Sequence, residues 1–266
     1  MNYEEMLRMR QQSRTKISVR GVVVGGDQVP VCLPLVATHE EELIKQAKEL
    51  TRLKADIIEW RVDGFGSVQQ SSVLLDKILT RLREVIGQIP LLFTCRIKAE
   101  GGMADLSDSE RLELNIRALD SGMVDLVDVE LANDSSFLDA VCSQARKAGV
   151  PVILSSHNFT RTPAEEEILA TLEKAYAVGA DIAKIAVMPN SFKDVLTLLS
   201  ATDRARNSFA EKPLITIAMG EMGKISRFAG GLFGSDVTFG VGQMVSAPGQ
   251  VPVEELRQVM SLVYQK

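Results

Sequence analysis

The chain has 266 residues, a length that suits one large α/β domain better than two separate domains. Hydrophobic residues make up 45% of the chain and charged residues 24%, which excludes a wholly disordered protein and a coiled coil. The 30 basic and 35 acidic residues give a net charge of −5 and are mixed along the sequence, so the charge pattern excludes a typical nucleic-acid-binding protein.

The N-terminus and the cysteines limit the cellular location and the redox chemistry. The first 16 residues are too charged for a signal peptide, and no apolar run approaches the roughly 20 residues that cross a membrane. Cys32, Cys95 and Cys142 are few and widely spaced, which favours neither a disulfide framework nor a zinc site. We therefore expect a soluble, cytoplasmic protein with no membrane partner.

One domain of residues 17–266 is predicted, preceded by an extension of residues 1–16 that is helical or disordered. Residues 17–28 are predicted to form a hairpin that covers one end of the domain. Eight short apolar runs follow, rich in Val, Ile, Leu and Phe, which is typical of strands covered on both faces. These runs are residues 31–37, 57–62, 90–96, 124–131, 151–156, 182–188, 213–219 and 236–241.

The segments between these strands carry helix signals. Capping boxes are predicted at Thr38 and Ser107, and Thr162 before a proline predicts a further helix start. Gly122 and Gly179 predict the ends of two helices. Eight strands that alternate with helices predict a closed (β/α)₈ TIM barrel, and an open doubly wound sheet is the alternative.

Charged residues fall at the C-terminal ends of these strands, where barrel enzymes place their active sites. Lys184 lies in an otherwise apolar strand, and burial would favour its neutral amine, the form that attacks a carbonyl. A lysine that reaches water or pairs with a distant acid is the alternative, and we favour a Schiff-base role. The other strand-end charges, several of which are expected to form an ion-pair network under the pocket, are Glu59, Arg61, Arg96, Asp128 and Glu130.

His157 follows the fifth strand and is a candidate general base, whereas His39 at a helix start is expected to face solvent. Glu100 in the loop after the third strand could orient His157 and stabilise its charged form, although alone it suits a solvated loop acid. No second histidine or cysteine accompanies His157 at ligand spacing, so no metal is predicted.

Arg227 follows the seventh strand and suits a bidentate grip on a carboxylate or a phosphate. The glycines that follow it are too irregularly spaced for a nucleotide-binding fingerprint. Ser246 and Gln250 lie in a loop after the eighth strand, which is either a passive surface loop or a lid over a hydroxylated ligand.

Together these motifs resemble those of the type I 3-dehydroquinate dehydratases, in the same order and from about Ile17 to the C-terminus. The motifs are EWR at 59–61, FTCR at 93–96, EGG at 100–102, SSH at 155–157, KIAVMP at 184–189, ISR at 225–227 and SAPGQ at 246–250. The resemblance implies a (β/α)₈ barrel, a homodimer and a reaction without a cofactor. It further implies syn elimination of water from 3-dehydroquinate, giving 3-dehydroshikimate through a lysine Schiff base in the shikimate pathway.

The resemblance also implies roles for single residues. Lys184 matches the Schiff-base lysine, His157 the general acid and base, and Glu100 the carboxylate that pairs with the histidine. Arg227 matches the arginine that binds the substrate carboxylate. Residues that match the contacts to ring hydroxyls or the closing loop are Glu59, Arg61, Arg96, Ser246 and Gln250. Cys32 and Met219 are further possible pocket residues. Two positions depart from the family pattern: a serine is common at the position of Cys32, and a methionine at the position of Ile217.

Two other functions fit part of this pattern. A class I aldolase would use Lys184 in the same way but break a carbon–carbon bond, and His157 and the 246–250 loop favour dehydration instead. A non-catalytic barrel that binds a metabolite has no need of a nucleophilic amine, so the combination of Lys184, His157 and Glu100 argues against it.

Overall fold

The N-terminal part of the described chain is an antiparallel hairpin that closes one end of a barrel. The computed structural model describes residues 10–66, 72–242, 244 and 246–264. Strands β1 (Ile17–Val19) and β2 (Val22–Val24) pair with Ser18 opposite Val23. Arg20 and Gly21 connect them with φ angles of 44° and 84°, the left-handed conformation that a two-residue hairpin turn requires. The predicted hairpin is confirmed.

Eight parallel strands follow the hairpin and form a nearly closed barrel, which confirms the (β/α)₈ prediction. They are β3 (Val31–Leu35), β4 (Ile57–Arg61), β5 (Leu91–Thr94), β6 (Leu126–Glu130), β7 (Val152–Asn158), β8 (Ile182–Val187), β9 (Leu214–Ala218) and β10 (Thr238–Phe239). Their order in the sheet is β10-β3-β4-β5-β6-β7-β8-β9. Across the remaining gap, the Asp236 N–H donates to the Leu214 carbonyl at 2.7 Å. The last strand is shorter than predicted.

In the part of the chain that the structure describes, eight α-helices alternate with these strands and cover the outside of the barrel. They are α1 (Glu40–Arg52), α2 (Ser72–Ile86), α3 (Asp108–Asp120), α4 (Ser135–Ala148), α5 (Glu165–Val178), α6 (Phe192–Ser208), α7 (Lys224–Ala229) and α8 (Val253–Val263). The main core lies between the strands and the helices, where Trp60 packs edge-on against Phe65 and Phe93 at ring distances of 5.8 Å. Within the described ranges, each helix is too short or too polar to cross a bilayer.

Helix starts follow the predicted signals in part. Ser107 forms the predicted capping box with Glu110 before α3. The caps predicted at Thr38 and Thr162 are wrong, because α1 starts after His39 and α5 after Ala164. Each of these two helices has three glutamates in its first turn, and their charges compensate the positive end of the helix dipole without a capping side chain.

Gly122 and Gly179 lie just past the ends of α3 and α5, as predicted. Their φ angles are 67° and 118°, in the left-handed region where a side chain would be strained.

The N-terminal end of the barrel is apolar and sealed. The inward residues there form one buried cluster with Val19 and Val24 of the hairpin, and they include Cys32, Ile57, Leu92, Leu126, Ile153, Ile182 and Ile215. Residues 10–15 form neither helix nor strand and lie against this end, where Ser13 Oγ donates to Asp236 at 2.8 Å. Residues 1–9 of the predicted extension lie outside the described residues. Because the described residues seal this end, they leave the opposite end as the way for a ligand to reach the barrel interior.

Candidate active site

Buried charges of alternating sign line the C-terminal end of the barrel around Lys184. The Lys184 Nζ donates to Asp128 Oδ2 at 2.6 Å, and the ammonium lies 4.8 Å from the centre of the Phe239 ring. Arg96 Nη1 donates to Asp128 Oδ1 at 2.9 Å and to Glu130 Oε1 at 2.6 Å. This is the ion-pair network expected from the strand-end charges.

The network gives Lys184 a partner that the local sequence does not contain. Asp128 lies on β6, 56 residues before Lys184, and its side chain is fully buried. Burial alone would raise the pKa of Asp128, but Arg96 and Lys184 outweigh that effect and hold the pKa well below its ordinary range. The acid from another strand, given above as the alternative, is thus present, and the surroundings of Lys184 are polar, unlike the apolar residues that flank it in sequence.

His157 and Glu100 form a hydrogen-bonded pair at the rim of the same cleft. His157 Nδ1 lies 2.9 Å from Glu100 Oε2, and the His157 backbone N–H donates to the same oxygen at 2.8 Å. Glu100 reaches this position because the chain makes a tight turn after β5. At Gly102 an added Cβ would lie 2.3 Å from the Arg96 carbonyl oxygen, so only glycine fits the turn.

Burial disfavours the charged form of both His157 and Glu100. Burial, with the positive charges of Arg96 and Lys184, lowers the pKa of His157 well below its ordinary value. Burial, with the negative charge of Glu130, raises the pKa of Glu100 to about 7. At neutral pH the imidazole is uncharged, which is the form that can accept a proton from a ligand.

Replacing Glu100 by glutamine is expected to raise the melting temperature, and to raise it more at about pH 8 than at about pH 5. The pKa of Glu100 is about 7 in the folded protein against 4.5 for an exposed carboxyl, so folding opposes its ionisation. Above the folded pKa the protein must bury a charged carboxylate, and below it Glu100 carries a proton. Thermal melts of both proteins at the two pH values measure the difference.

Glu110→Gln is the matched control for that experiment. Glu110 is exposed, and its hydrogen bonds with Ser107 lower its pKa. The Glu110 carboxylate therefore stabilises the folded state above the pKa of the unfolded chain. Both pH values lie above that pKa, so the control is expected to lower the melting temperature by nearly the same amount at each. An equal gain for Glu100→Gln at both pH values would contradict the assignment of a raised pKa.

Glu59 and Arg61 lie on β4 and line the cleft beside Arg96. Thr94 Oγ1 donates to Glu59 Oε1 at 2.9 Å, which fixes one carboxylate oxygen. Arg61 Nε and Nη2 donate to the two oxygens of Asp63, each at 2.9 Å. Both side chains are thus held by neighbours before any ligand binds.

Arg227 is a buried cation that the described residues leave without an acidic partner. It is 2% exposed, and its Nη1 and Nη2 donate to the carbonyls of Phe239 and Pro248 at 3.2 and 3.0 Å. Its Nε has no hydrogen-bond partner among the described residues. Burial lowers the pKa of Arg227 to about 10, and the group remains charged at neutral pH. Such a cation at a cleft wall fits an anionic group on a ligand.

Ser246 and Gln250 lie in the loop before α8 and line the same cleft as Arg61 and Lys184. Gln250 Nε2 donates to Ser246 Oγ at 3.1 Å, and Gln250 Oε1 accepts from the Ser246 backbone N–H at 2.8 Å. The amide therefore defines the shape of the loop.

One cleft of about 490 Å³, partly open to solvent, brings most of the predicted site residues together. Its predicted lining residues are Glu59, Arg61, Arg96, Glu100, His157, Lys184, Ile217, Met219, Arg227, Ser246 and Gln250. Cys32 does not line the cleft, because it lies one inward layer below Glu59, beside Ile57, in the apolar cluster that fills the barrel interior. His39 is exposed, as expected.

Sequence reasoning missed the aromatic walls of this cleft. Phe159 and Phe239 both line it. Phe159 comes directly after β7, and Phe239 is the last residue of β10. The signal was present for Phe159, which follows His157 by two residues and so points to the same side of an extended chain. Asp63 was missed as well, because an acid two residues past a strand is typical of a solvated turn.

Comparisons with known proteins show which family the chain resembles. The family model described as type I 3-dehydroquinase matches residues 31–266. The 3-dehydroquinate dehydratase of Klebsiella pneumoniae is 43% identical over 247 residues, covering 93% of this chain and 98% of that protein. The 3-dehydroquinate dehydratase of Geobacillus thermodenitrificans is 42% identical over 252 residues, covering 94% of this chain and 97% of that protein.

Solved structures give the same result. The 3-dehydroquinate dehydratase of Geobacillus kaustophilus superposes with a TM-score of 0.92 at 40% identity, covering 96% of this chain and 99% of that chain. The type I 3-dehydroquinate dehydratase of Clostridium difficile with covalently modified comenic acid superposes with a TM-score of 0.91 at 41% identity, covering 97% of this chain and 99% of that chain. Because these matches span nearly the whole chain, it belongs to the type I 3-dehydroquinase family.

Proposed function

We propose that this chain dehydrates 3-dehydroquinate to 3-dehydroshikimate, the third step of the shikimate pathway, through a Schiff base on Lys184. The observation that carries the proposal is the placement of Lys184, the His157–Glu100 pair and Arg227 around one cleft. A class I aldolase would also need the lysine. Membership of the type I 3-dehydroquinase family and the neutral His157 favour elimination of water over cleavage of a carbon–carbon bond.

The reaction begins with Lys184. The Lys184 ammonium first gives up a proton, and the neutral Nζ adds to the C3 ketone of the substrate. That proton leaves in the water lost from the adduct, which becomes an iminium ion. Asp128 accepts a hydrogen bond from Nζ and holds it at the floor of the cleft. The positive nitrogen draws electrons from the ring, so the proton on the neighbouring C2 becomes acidic. This chemistry needs no metal or organic cofactor.

His157 then carries out the elimination. The neutral imidazole takes the C2 proton, and the electron pair of that bond forms an enamine with the iminium group. The enamine expels the C1 hydroxyl, which takes the proton back from the imidazolium and leaves as water. Because one imidazole serves both steps, proton and hydroxyl leave from the same face, which is a syn elimination. Glu100 at 2.9 Å stabilises the transient imidazolium, and hydrolysis of the imine frees Lys184 and the product.

The remaining residues of the cleft are proposed to hold the substrate. Arg227 binds the carboxylate, because it is a buried cation without an acidic partner among the described residues. Glu59 accepts hydrogen bonds from the ring hydroxyls, and Arg61 donates hydrogen bonds to them. Arg96 holds Asp128 in place. Ser246 and Gln250 close the loop over the ring.

Formation of the conjugated enone tests the proposed reaction directly. Mixing the wild-type chain with 3-dehydroquinate should give a steady rise in ultraviolet absorbance from 3-dehydroshikimate. Omission of metal ions, with a chelator present, should leave the rate unchanged. The absence of any rise, with intact 3-dehydroquinate recovered, would contradict the proposal.

Replacing Arg227 by methionine is expected to weaken substrate binding and to stabilise the folded protein. The variant loses the charge-assisted hydrogen bonds to the substrate carboxylate, which contribute about 1.5–3 kcal/mol. We therefore expect kcat/KM to fall roughly 10- to 100-fold, mainly through a higher KM. Removing a buried cation that lacks an acidic partner should raise the melting temperature. Steady-state kinetics and thermal melts measure the two effects.

Arg206→Met is the control for this pair of effects, because Arg206 is a buried arginine that forms an ion pair with Asp236. Its loss leaves Asp236 with one cation fewer, so it should lower the melting temperature and leave KM unchanged. An unchanged KM in Arg227→Met would contradict the carboxylate-binding role.

We also propose that the chain assembles as a homodimer and works in the cytoplasm. An apolar pair on α6 supports assembly, since Phe192 and Leu196 lie one helical turn apart and are 73% and 66% exposed. Light scattering during size-exclusion chromatography should give twice the chain mass, and a single-chain mass at working concentrations would contradict the dimer. Fractionation of cells that produce the protein tests the location.

A further inference from the structure

Asp63 is a buried carboxylate in the short 3₁₀ turn Val62–Gly64 after β4, and its side chain is fully shielded from solvent. It accepts four hydrogen bonds. Two come from the guanidinium of Arg61 at 2.9 Å each, one from the backbone N–H of Arg96 at 3.3 Å, and one from the backbone N–H of Met103 at 2.9 Å. The two backbone donors lie at the two ends of the segment that contains Glu100.

The same pair of residues also fastens the middle of that segment. Arg61 Nη2 donates to the Gly101 carbonyl at 3.1 Å, so the Asp63–Arg61 pair contacts residues 96, 101 and 103. Inside the segment, Glu100 and Gly102 donate their backbone N–H groups to the Ile97 carbonyl at 3.1 and 2.9 Å. The tight turn is thereby held rigidly against β4.

The position of Glu100 depends on this turn. Its carboxylate contacts both the Nδ1 and the backbone N–H of His157, and a displaced turn would break both contacts. We infer that Asp63 is a positioning residue, which fixes the turn and so sets the His157–Glu100 pair for proton transfer. The expected change in kcat rests on the proposed function. The geometry of the His157–Glu100 pair does not, because it can be measured without substrate.

Asp63→Asn tests this role, since asparagine keeps the size of the side chain but cannot accept all four hydrogen bonds. We expect kcat for dehydration to fall roughly 10- to 100-fold, as for other supporting residues behind a reacting group. In a Glu100→Gln background the same substitution should lower kcat less than about threefold, because Asp63 then has no carboxylate to position. Equal losses in both backgrounds would overturn the inference.

The second readout needs no turnover. The chain has two histidines, so their ring signals can be assigned and titrated by NMR. His157 contacts Glu100 and lies within the field of Arg96, Lys184, Asp128 and Arg61, and all five groups remain in Asp63→Asn. A loosened turn admits water, so His157 should titrate closer to an ordinary histidine, and His39 should not change. An unchanged His157 titration would overturn the inference even if the wild-type chain were inactive, and that inactivity would contradict the proposed function separately.

Asp125→Asn is the matched control. Asp125 also accepts hydrogen bonds from arginines and a backbone N–H, namely Arg20, Arg83 and Leu91, but at the opposite end of the barrel. It should lower the melting temperature and leave kcat and the His157 titration unchanged. If it lowered kcat as much as Asp63→Asn, general destabilisation would account for both and the inference would fail.

Discussion

Replacing Lys184 by alanine is expected to lower kcat for dehydration by about 10⁴- to 10⁶-fold, the range seen when a nucleophile is removed. Without Nζ the ketone cannot become an iminium ion, and the C2 proton remains too weakly acidic for an imidazole to remove. No other amine is placed to replace it among the cleft residues that the structure describes. Enone absorbance under saturating substrate measures the loss.

Two controls separate this chemical effect from a folding defect. Asp128 keeps its hydrogen bonds from Arg96 and Ser155 in the variant, so the buried carboxylate still has a cationic partner and the barrel should fold. Lys212→Ala removes a half-buried lysine whose Nζ donates to the Ala180 carbonyl, and it should retain full turnover. Retention of a tenth or more of the wild-type kcat by Lys184→Ala would contradict the mechanism.

Replacing His157 by alanine is expected to lower kcat by about 10²- to 10⁴-fold while leaving imine formation intact. Lys184 and Asp128 lie on β8 and β6, so their contact at 2.6 Å does not depend on the imidazole. The variant should therefore accumulate the substrate imine, which borohydride reduces to a stable adduct. Enone absorbance measures kcat, and intact mass measures the amount of reduced adduct.

The other histidine provides the control, since His39 is exposed at the start of α1 and its alanine variant should behave as the wild type. Two results would contradict the role of His157. One is an unchanged kcat, and the other is loss of the adduct together with turnover, which would place His157 in imine formation.

The barrel could be predicted because each strand has a recognisable apolar pattern within its own stretch of sequence. Short runs such as that around Ile182 are apolar throughout, which is what burial on both faces of a parallel strand requires. Helix starts were less predictable. Thr38 and Thr162 have the right residue type and spacing for caps, yet runs of glutamate starting at Glu40 and Glu165 define the observed first turns.

The candidate site was predictable where a residue is unusual in its own strand, and unpredictable where a partner comes from elsewhere. Lys184 stands out in an apolar strand, but nothing near it in sequence indicates that Asp128 lies 2.6 Å from its amine. Asp63 resembles an ordinary turn acid, and only the three-dimensional course of the loop after β5 shows what it holds. Cys32 faces the barrel interior, and only the strand register shows that it lies one layer below the cleft residues, beside Ile57 rather than Glu59.

Mass spectrometry of the wild-type chain after reaction with 3-dehydroquinate and sodium borohydride tests the central claim most directly. The account predicts one reduced adduct per chain, and peptide mapping should place it on Lys184. An adduct on another lysine, or no adduct while enone is formed at the normal rate, would contradict the Schiff-base mechanism.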